Sequence, residues 1–227
     1  MKENYIGKIN RLGKIGHAVA KICQVMVTIA MVCCIVGGVL LALVPRDGVM
    51  VTTSHTATIE MDMTHSIMPK LVAVDPEDDG SFELDGITYD NFDIVGTLGR
   101  QTAVAQSTPY TYSLKNMMWV MFTAAVLCLL LVAATKKVSA LFMLFRDCET
   151  PFTTDTADSF RQLAISFVPV IVMGWVLEAV TKWVTTGVLD IVIGIDLTAV
   201  MLVVVVLMMG EIFRYGALLQ QESDETL

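Results

Sequence analysis

The stretch Asp75-Pro76-Glu77-Asp78-Asp79-Gly80 sets oxygen ligands at alternate positions ahead of a glycine, in the manner of a calcium-binding loop. Such a loop closes with a bidentate acid at its twelfth position, which here is Gly86, so a solvated acidic turn is the better reading. His55 and His65, with Glu60 and Asp62, offer zinc-type ligands, but their spacing matches no zinc site. Glu178 and Lys182 are one helical turn apart. They read either as an intramembrane charged couple or as an outer polar pair at the interface, with snorkelling stems beside Trp175 and Trp183. Cys33 and Cys34 are suited to helix packing, with lipidation or redox chemistry as the alternative. No phosphate-cradling GxxxxGK[ST], zinc-presenting HExxH or nucleophile-displaying GxSxG occurs. No catalytic residue, cofactor site or metal set is therefore assigned, and the chain reads as no enzyme.

The elements around these residues are apolar. The 227 residues are 55% hydrophobic with a mean hydropathy of +0.66, well above the soluble norm. Residues 22–44 carry no charge over 23 positions, and residues 116–135 none over 20. About 20 apolar residues cross a bilayer's hydrocarbon core as a helix. With the longer runs at 162–184 and 189–213, four transmembrane helices are expected, and the fold class is a membrane all-α four-helix bundle. Ala30, Cys34, Gly38 and Ala42 recur every fourth residue, a pattern that lets another helix come close. Packing within the chain is favoured over dimerisation, and a homo-oligomer stays open.

Charge sets the expected topology. Residues 1–21 hold Lys2, Lys8, Arg11, Lys14 and Lys21 against Glu3, interleaved with apolar residues as in a surface-lying amphipathic segment. Basic flanks stay on the cytoplasmic side, so an uncleaved first span starts inside. Alternation puts residues 45–115 outside, the 136–161 loop inside and the 214–227 acidic tail inside, with both termini cytoplasmic. Ten of the fifteen Lys/Arg residues then lie inside. The net charge is −8, and residues 45–115 hold eleven Asp/Glu against four Lys/Arg, which excludes a basic stripe for direct nucleic-acid binding.

The 45–115 insert reads as β. Val49, Val51 and Thr53 alternate, and 56–61 continues the pattern. Phe82-Glu83-Leu84, Asp85-Gly86 and Ile87-Thr88-Tyr89 form a hairpin signal, because Asp-Gly supplies the positive φ of a type I′ turn. A further strand is expected at 102–105. The result is a small extracytoplasmic antiparallel sheet with a thin core and no cysteine.

On the expected inside face, an amphipathic helix ends at Pro151 and a new one starts under a Thr154 or Asp155 cap. Pro169 is a bend point in the third span, and Asp196 an N-cap for the fourth. Pro151-Phe152-Thr153, Ile195-Asp196-Leu197-Thr198, and Glu211 through Gly216 and Gln220 to Asp224-Glu225-Thr226 occur in that order. This ordered set resembles a bacterial four-span membrane family catalogued as domain of unknown function twenty-nine seventy-five, over 115–227. The resemblance implies a membrane partner of a small cytosolic helix-turn-helix regulator of the Xre type; it implies no catalytic residues. The expected function is a sensor or sequestering protein that docks its partner through Phe142, Phe145, Pro151, Phe152, Phe213, Tyr215, Gly216, Gln220 and Asp224. The alternative is a small transporter or accessory subunit of a transport complex, with Glu178, Lys182, Asp190 and Asp196 lining a polar path.

Overall fold

The computed structural model describes residues 2–45, 48–54, 56–62, 82–84, 87–97, 100–146, 150–187, 189 and 197–225. His55, His65, the 75–80 turn, Cys148, Asp190 and Asp196 lie outside the described residues, as does the side chain of Asp224. Four helices dominate: α1 (Lys2–Leu43), α2 (Met117–Arg146), α3 (Thr154–Thr186) and α4 (Leu197–Glu225). All four are long and apolar enough to cross a membrane. Their outward surfaces carry large hydrophobics such as Met26, Leu40, Leu129, Ile165, Met201 and Met208. A water-facing surface does not tolerate apolar area on that scale, and lipid does. The chain is a multi-pass membrane protein.

The chain divides into two compact units, one mainly helical and the other built on residues 41–117 and 179–190. In the helical unit, α1 runs 42 residues without a break. The basic 1–21 segment is therefore not a separate surface helix but the first five turns of α1. At 1.5 Å per residue α1 is about 63 Å long, twice the hydrocarbon thickness, so its basic half extends past the apolar layer.

What holds α1 to α2 is a strip of small residues. An added Cβ at Gly13 would stand 2.6 Å from the Arg146 amide nitrogen and 2.8 Å from the Phe145 carbonyl carbon. The Phe142 ring occupies the space that a side chain at Gly16 would need. A turn on, His17 Nδ1 lies 3.1 Å from both the carbonyl oxygen and the hydroxyl of Ser139. As a donor the imidazole serves the carbonyl, and as an acceptor it takes the hydroxyl proton. At the other end of the pair, a Cβ at Gly38 would meet the Phe122 ring at 3.0–3.3 Å. The helices are thus antiparallel. The covered positions of α1 (Gly13, Gly16, Ala20, Gln24, Val27, Met31, Cys34, Gly38) step by three or four residues, the seam of a coiled coil. Ala30, expected on this strip, is exposed, because a strict four-residue repeat drifts around a 3.6-residue helix. His17→Leu is expected to cost about 1 kcal/mol, the usual net worth of an intramolecular hydrogen bond. The unfolding midpoint in detergent would read this, and no shift would contradict it.

Around α3, the buried residues Leu141, Phe160 and Leu163 form a core, with Val138, Phe145, Phe167, Val206 and Phe213 packed against it. Gly210 lets α4 close on α3, since a Cβ there would lie 3.3 Å from the Ala157 carbonyl oxygen and the Phe160 Cβ. Pro169 lies inside α3 without ending it. The fourth helix is described from Leu197, while residues 190–196 lie outside the described residues.

The second unit contains the β structure. β1 (Met50–Thr53) pairs antiparallel with β6 (Tyr110–Ser113). A second sheet has the order β2-β5-β4-β3, with β2 (Thr56–Asp62), β3 (Phe82–Leu84), β4 (Ile87–Thr97) and β5 (Arg100–Ser107), all neighbours antiparallel. Leu84 stands opposite Ile87, the register that an Asp-Gly turn predicts, although 85 and 86 themselves lie outside the described residues. The β1–β6 ribbon packs on the end of α3. Thr53 Oγ1 donates to the Thr185 carbonyl at 3.0 Å. Gly187, at φ +74°, ends the helix by donating its N–H to the Trp183 carbonyl at 3.0 Å. The Tyr110 ring lies where a side chain at 187 would be.

Candidate functional site

The end of the helical unit where α2 gives way to α3 gathers most of the residues singled out in the sequence. Pro151 precedes the turn, and the N-cap of α3 is Thr153, not Thr154 or Asp155. Its Oγ1 accepts from the Thr156 amide at 3.2 Å and pairs with the Thr156 hydroxyl at 2.8 Å. A cap bonds the backbone N–H two or three residues on, and from Thr153 that donor is Thr156. Thr153→Ala is expected to cost about 1 kcal/mol and to fray the first turn of α3, measurable as faster amide exchange at 154–157. Unchanged exchange there would contradict this assignment.

Beside this cap the aromatic rings converge. Phe213 of α4 lies 5.1 Å from Phe160, 5.4 Å from Phe152 and 5.8 Å from Phe145, centroid to centroid. Phe152 lies over Gly216, where an added Cβ would fall 3.0 Å from two of its ring carbons. Phe145 and Phe213 are thus occupied in packing three helices together, and Phe142 fills the gap at Gly16. These three are structural, so the expected docking surface shrinks to what remains open. Phe152 is 42% exposed and Tyr215 64% exposed. Tyr215 lies off the face that carries Phe213, Gly216 and half-buried Gln220. Asp224 falls in the last turn of α4.

Next to the ring cluster, a cleft of about 940 Å³ opens between the end of α2 and the start of α3. One wall is apolar, from Ala140, Met143 and Leu144; the other is polar, with Asp155, Asp158, Ser159 and Gln162. Lys137 Nζ donates to Gln162 Oε1 at 2.8 Å along its rim. Asp155 and Asp158 are both exposed. The cleft is half greasy and half acidic, and it suits a cationic amphipathic surface. Sequence reasoning missed it. The only signal was Asp155 and Asp158 recurring three apart after a proline.

Glu178 and Lys182, expected as an outer polar pair, are not part of this site. Glu178 is exposed and Lys182 half-buried, one turn apart on α3. Among the described residues, no group of three His, Cys, Asp or Glu is placed to hold a metal ion. No family model matches the chain, and no match to it was found among curated proteins or solved structures.

Proposed function

We propose that this chain is a non-enzymatic protein of the bacterial plasma membrane that holds a small helix-turn-helix regulator of the Xre type at its α2–α3 cleft. Both termini then lie in the cytosol and the β-rich insert faces the exterior, where a ligand or envelope stress would act. The observation that carries this reading is the cleft itself, with an aliphatic wall and two exposed aspartates beside an exposed phenylalanine. A DNA-binding domain presents a basic face. An acidic, half-apolar cleft complements that face and competes with DNA for it. Glu222 and Glu225 on the tail add charge of the same sign. The bias of Lys and Arg toward the proposed cytosolic segments and the family resemblance support the orientation. Release of the partner requires that it bind two helix arrangements unequally. No Asp, Glu, Lys, Arg or His falls in 22–44, 116–135, 162–177 or 197–210, which counts against a coupled transporter that binds near the midplane.

Crosslinking in native membranes followed by purification tests the proposal. A DNA-binding protein should be recovered with the intact chain and lost with the charge reversal D155K/D158K, which changes exposed positions only. Equal recovery from both, or none from either, would overturn it. Truncation after Gly210 should abolish recovery as well, since it removes Phe213 and the tail.

A further inference from the structure

A small cavity of about 50 Å³ lies between α3 and α4, where Gly210 lets the helices meet. A Cβ on Gly210 would stand 3.7 Å from the Arg161 amide nitrogen. Soluble ligands of drug size fill pockets of about 300 Å³ or more, so this notch takes only a small polar group. Its charged lining is balanced, with Asp158 and Arg161 from α3 and Glu211 and Arg214 from α4. Each helix sets an acid and an arginine three residues apart, a spacing at which the two could neutralise each other. Among the described residues, no ion pair or hydrogen bond uses any of the four, and all four are exposed. The charges sit where the uncharged runs 162–177 and 197–210 end, at the level of lipid headgroups. From Arg161 into the apolar layer, one face of α3 presents Ile165, Val168 and Val172, all exposed. From Arg214 and Glu211, one face of α4 presents Leu207, Val204 and Val200, also exposed. Two unpaired cations and two unpaired anions thus stand at the head of two greasy columns.

We propose that this notch binds the headgroup of phosphatidylethanolamine, with its acyl chains lying along the two columns. Arg161 and Arg214 donate to the phosphate, as guanidinium groups do in charge-assisted hydrogen bonds. Asp158 and Glu211 accept from the ammonium, which has three N–H donors. Phosphatidylcholine carries the same two charges but has no N–H to give. An anionic lipid such as phosphatidylglycerol leaves both carboxylates unmatched. The bound lipid bridges α3 to α4 at the membrane surface. Asp158 also lines the α2–α3 cleft, but the lipid site does not rest on the partner proposed there, and its test leaves Asp158 unchanged.

The test uses the full chain, delipidated in detergent and mixed with phosphatidylethanolamine, phosphatidylcholine or phosphatidylglycerol of identical acyl chains. Native mass spectrometry counts the lipid retained. Phosphatidylethanolamine should be retained about tenfold over phosphatidylcholine, the worth of one charge-assisted hydrogen bond. R161Q/R214Q should lose the bound lipid, and Glu211→Gln should erase the preference, with circular dichroism confirming that both variants fold. Arg11→Gln, at an exposed arginine of α1, should change nothing. Free phosphoethanolamine should not displace the lipid, because the columns hold its chains. Equal retention of phosphatidylethanolamine and phosphatidylcholine, or higher retention of phosphatidylglycerol, would overturn the site. So would a preference that survives R161Q/R214Q, one lost with Arg11→Gln, or displacement by free phosphoethanolamine.

Discussion

Gly13→Ala will cost the helical unit about 3 kcal/mol, the upper end for overpacking a filled site. Unfolding in detergent, followed by circular dichroism, measures it. The added methyl would stand 2.6–2.9 Å from backbone atoms of Phe145 and Arg146. A backbone inside a helix cannot step aside as a flexible side-chain tip can, so the whole of α1 must move outward. That motion lengthens the His17–Ser139 bond and loosens the ring contact at Gly16. Gly7→Ala is the control on the same helix. Nothing lies within 4 Å of an added Cβ there. It should stabilise the helix by about 0.5–1 kcal/mol, because alanine has less backbone freedom to lose than glycine. If the two substitutions shift the midpoint alike, close approach of α1 and α2 is not what holds the pair.

Phe213→Ala is expected to lower stability by about 3–5 kcal/mol, the usual cost of deleting a packed phenylalanine. Phe213 is the one ring that touches Phe145 of α2, Phe160 of α3 and Phe152 of the connection. Its removal opens a void at the point where three helices and the α2–α3 turn meet. Tyr215, two residues on, is 64% exposed. Tyr215→Ala should stay within about 0.5 kcal/mol of the parent, as surface substitutions do. Comparable losses from both would mean that the aromatic cluster is not the clasp of this end.

The helices were legible because lipid imposes so simple a rule: some twenty uncharged residues must bond their own backbone as a helix. The hairpin at 82–89 was legible for a local reason, since an Asp-Gly dipeptide between alternating residues leaves little choice of register. The contacts between helices were harder to read. Gly13 and Gly16 lie in a basic segment that looks like a surface helix, and nothing local says that Phe142 and the 145–146 backbone will come to meet them. Phe142, Phe145 and Phe213 were read as an open docking surface because an aromatic near a helix end is ambiguous between a ring that anchors or binds and one that packs. The placement of α4 against α3, through Gly210, decides it for Phe145 and Phe213, and the approach of α1 at Gly16 decides it for Phe142. The cap shows the same limit on a smaller scale: Thr153, Thr154 and Asp155 are all good caps, and the observed one is set by which hydroxyl reaches the Thr156 amide.

The account stands on the cleft and tail facing the cytosol while the insert faces outward. Single cysteines placed at exposed Thr108 and Gln221 in a chain whose own five cysteines are serine test this most directly. A membrane-impermeant maleimide applied to intact cells should label Thr108→Cys at once and Gln221→Cys only after permeabilisation. Labelling of Gln221→Cys in intact cells, with Thr108→Cys protected, would contradict it.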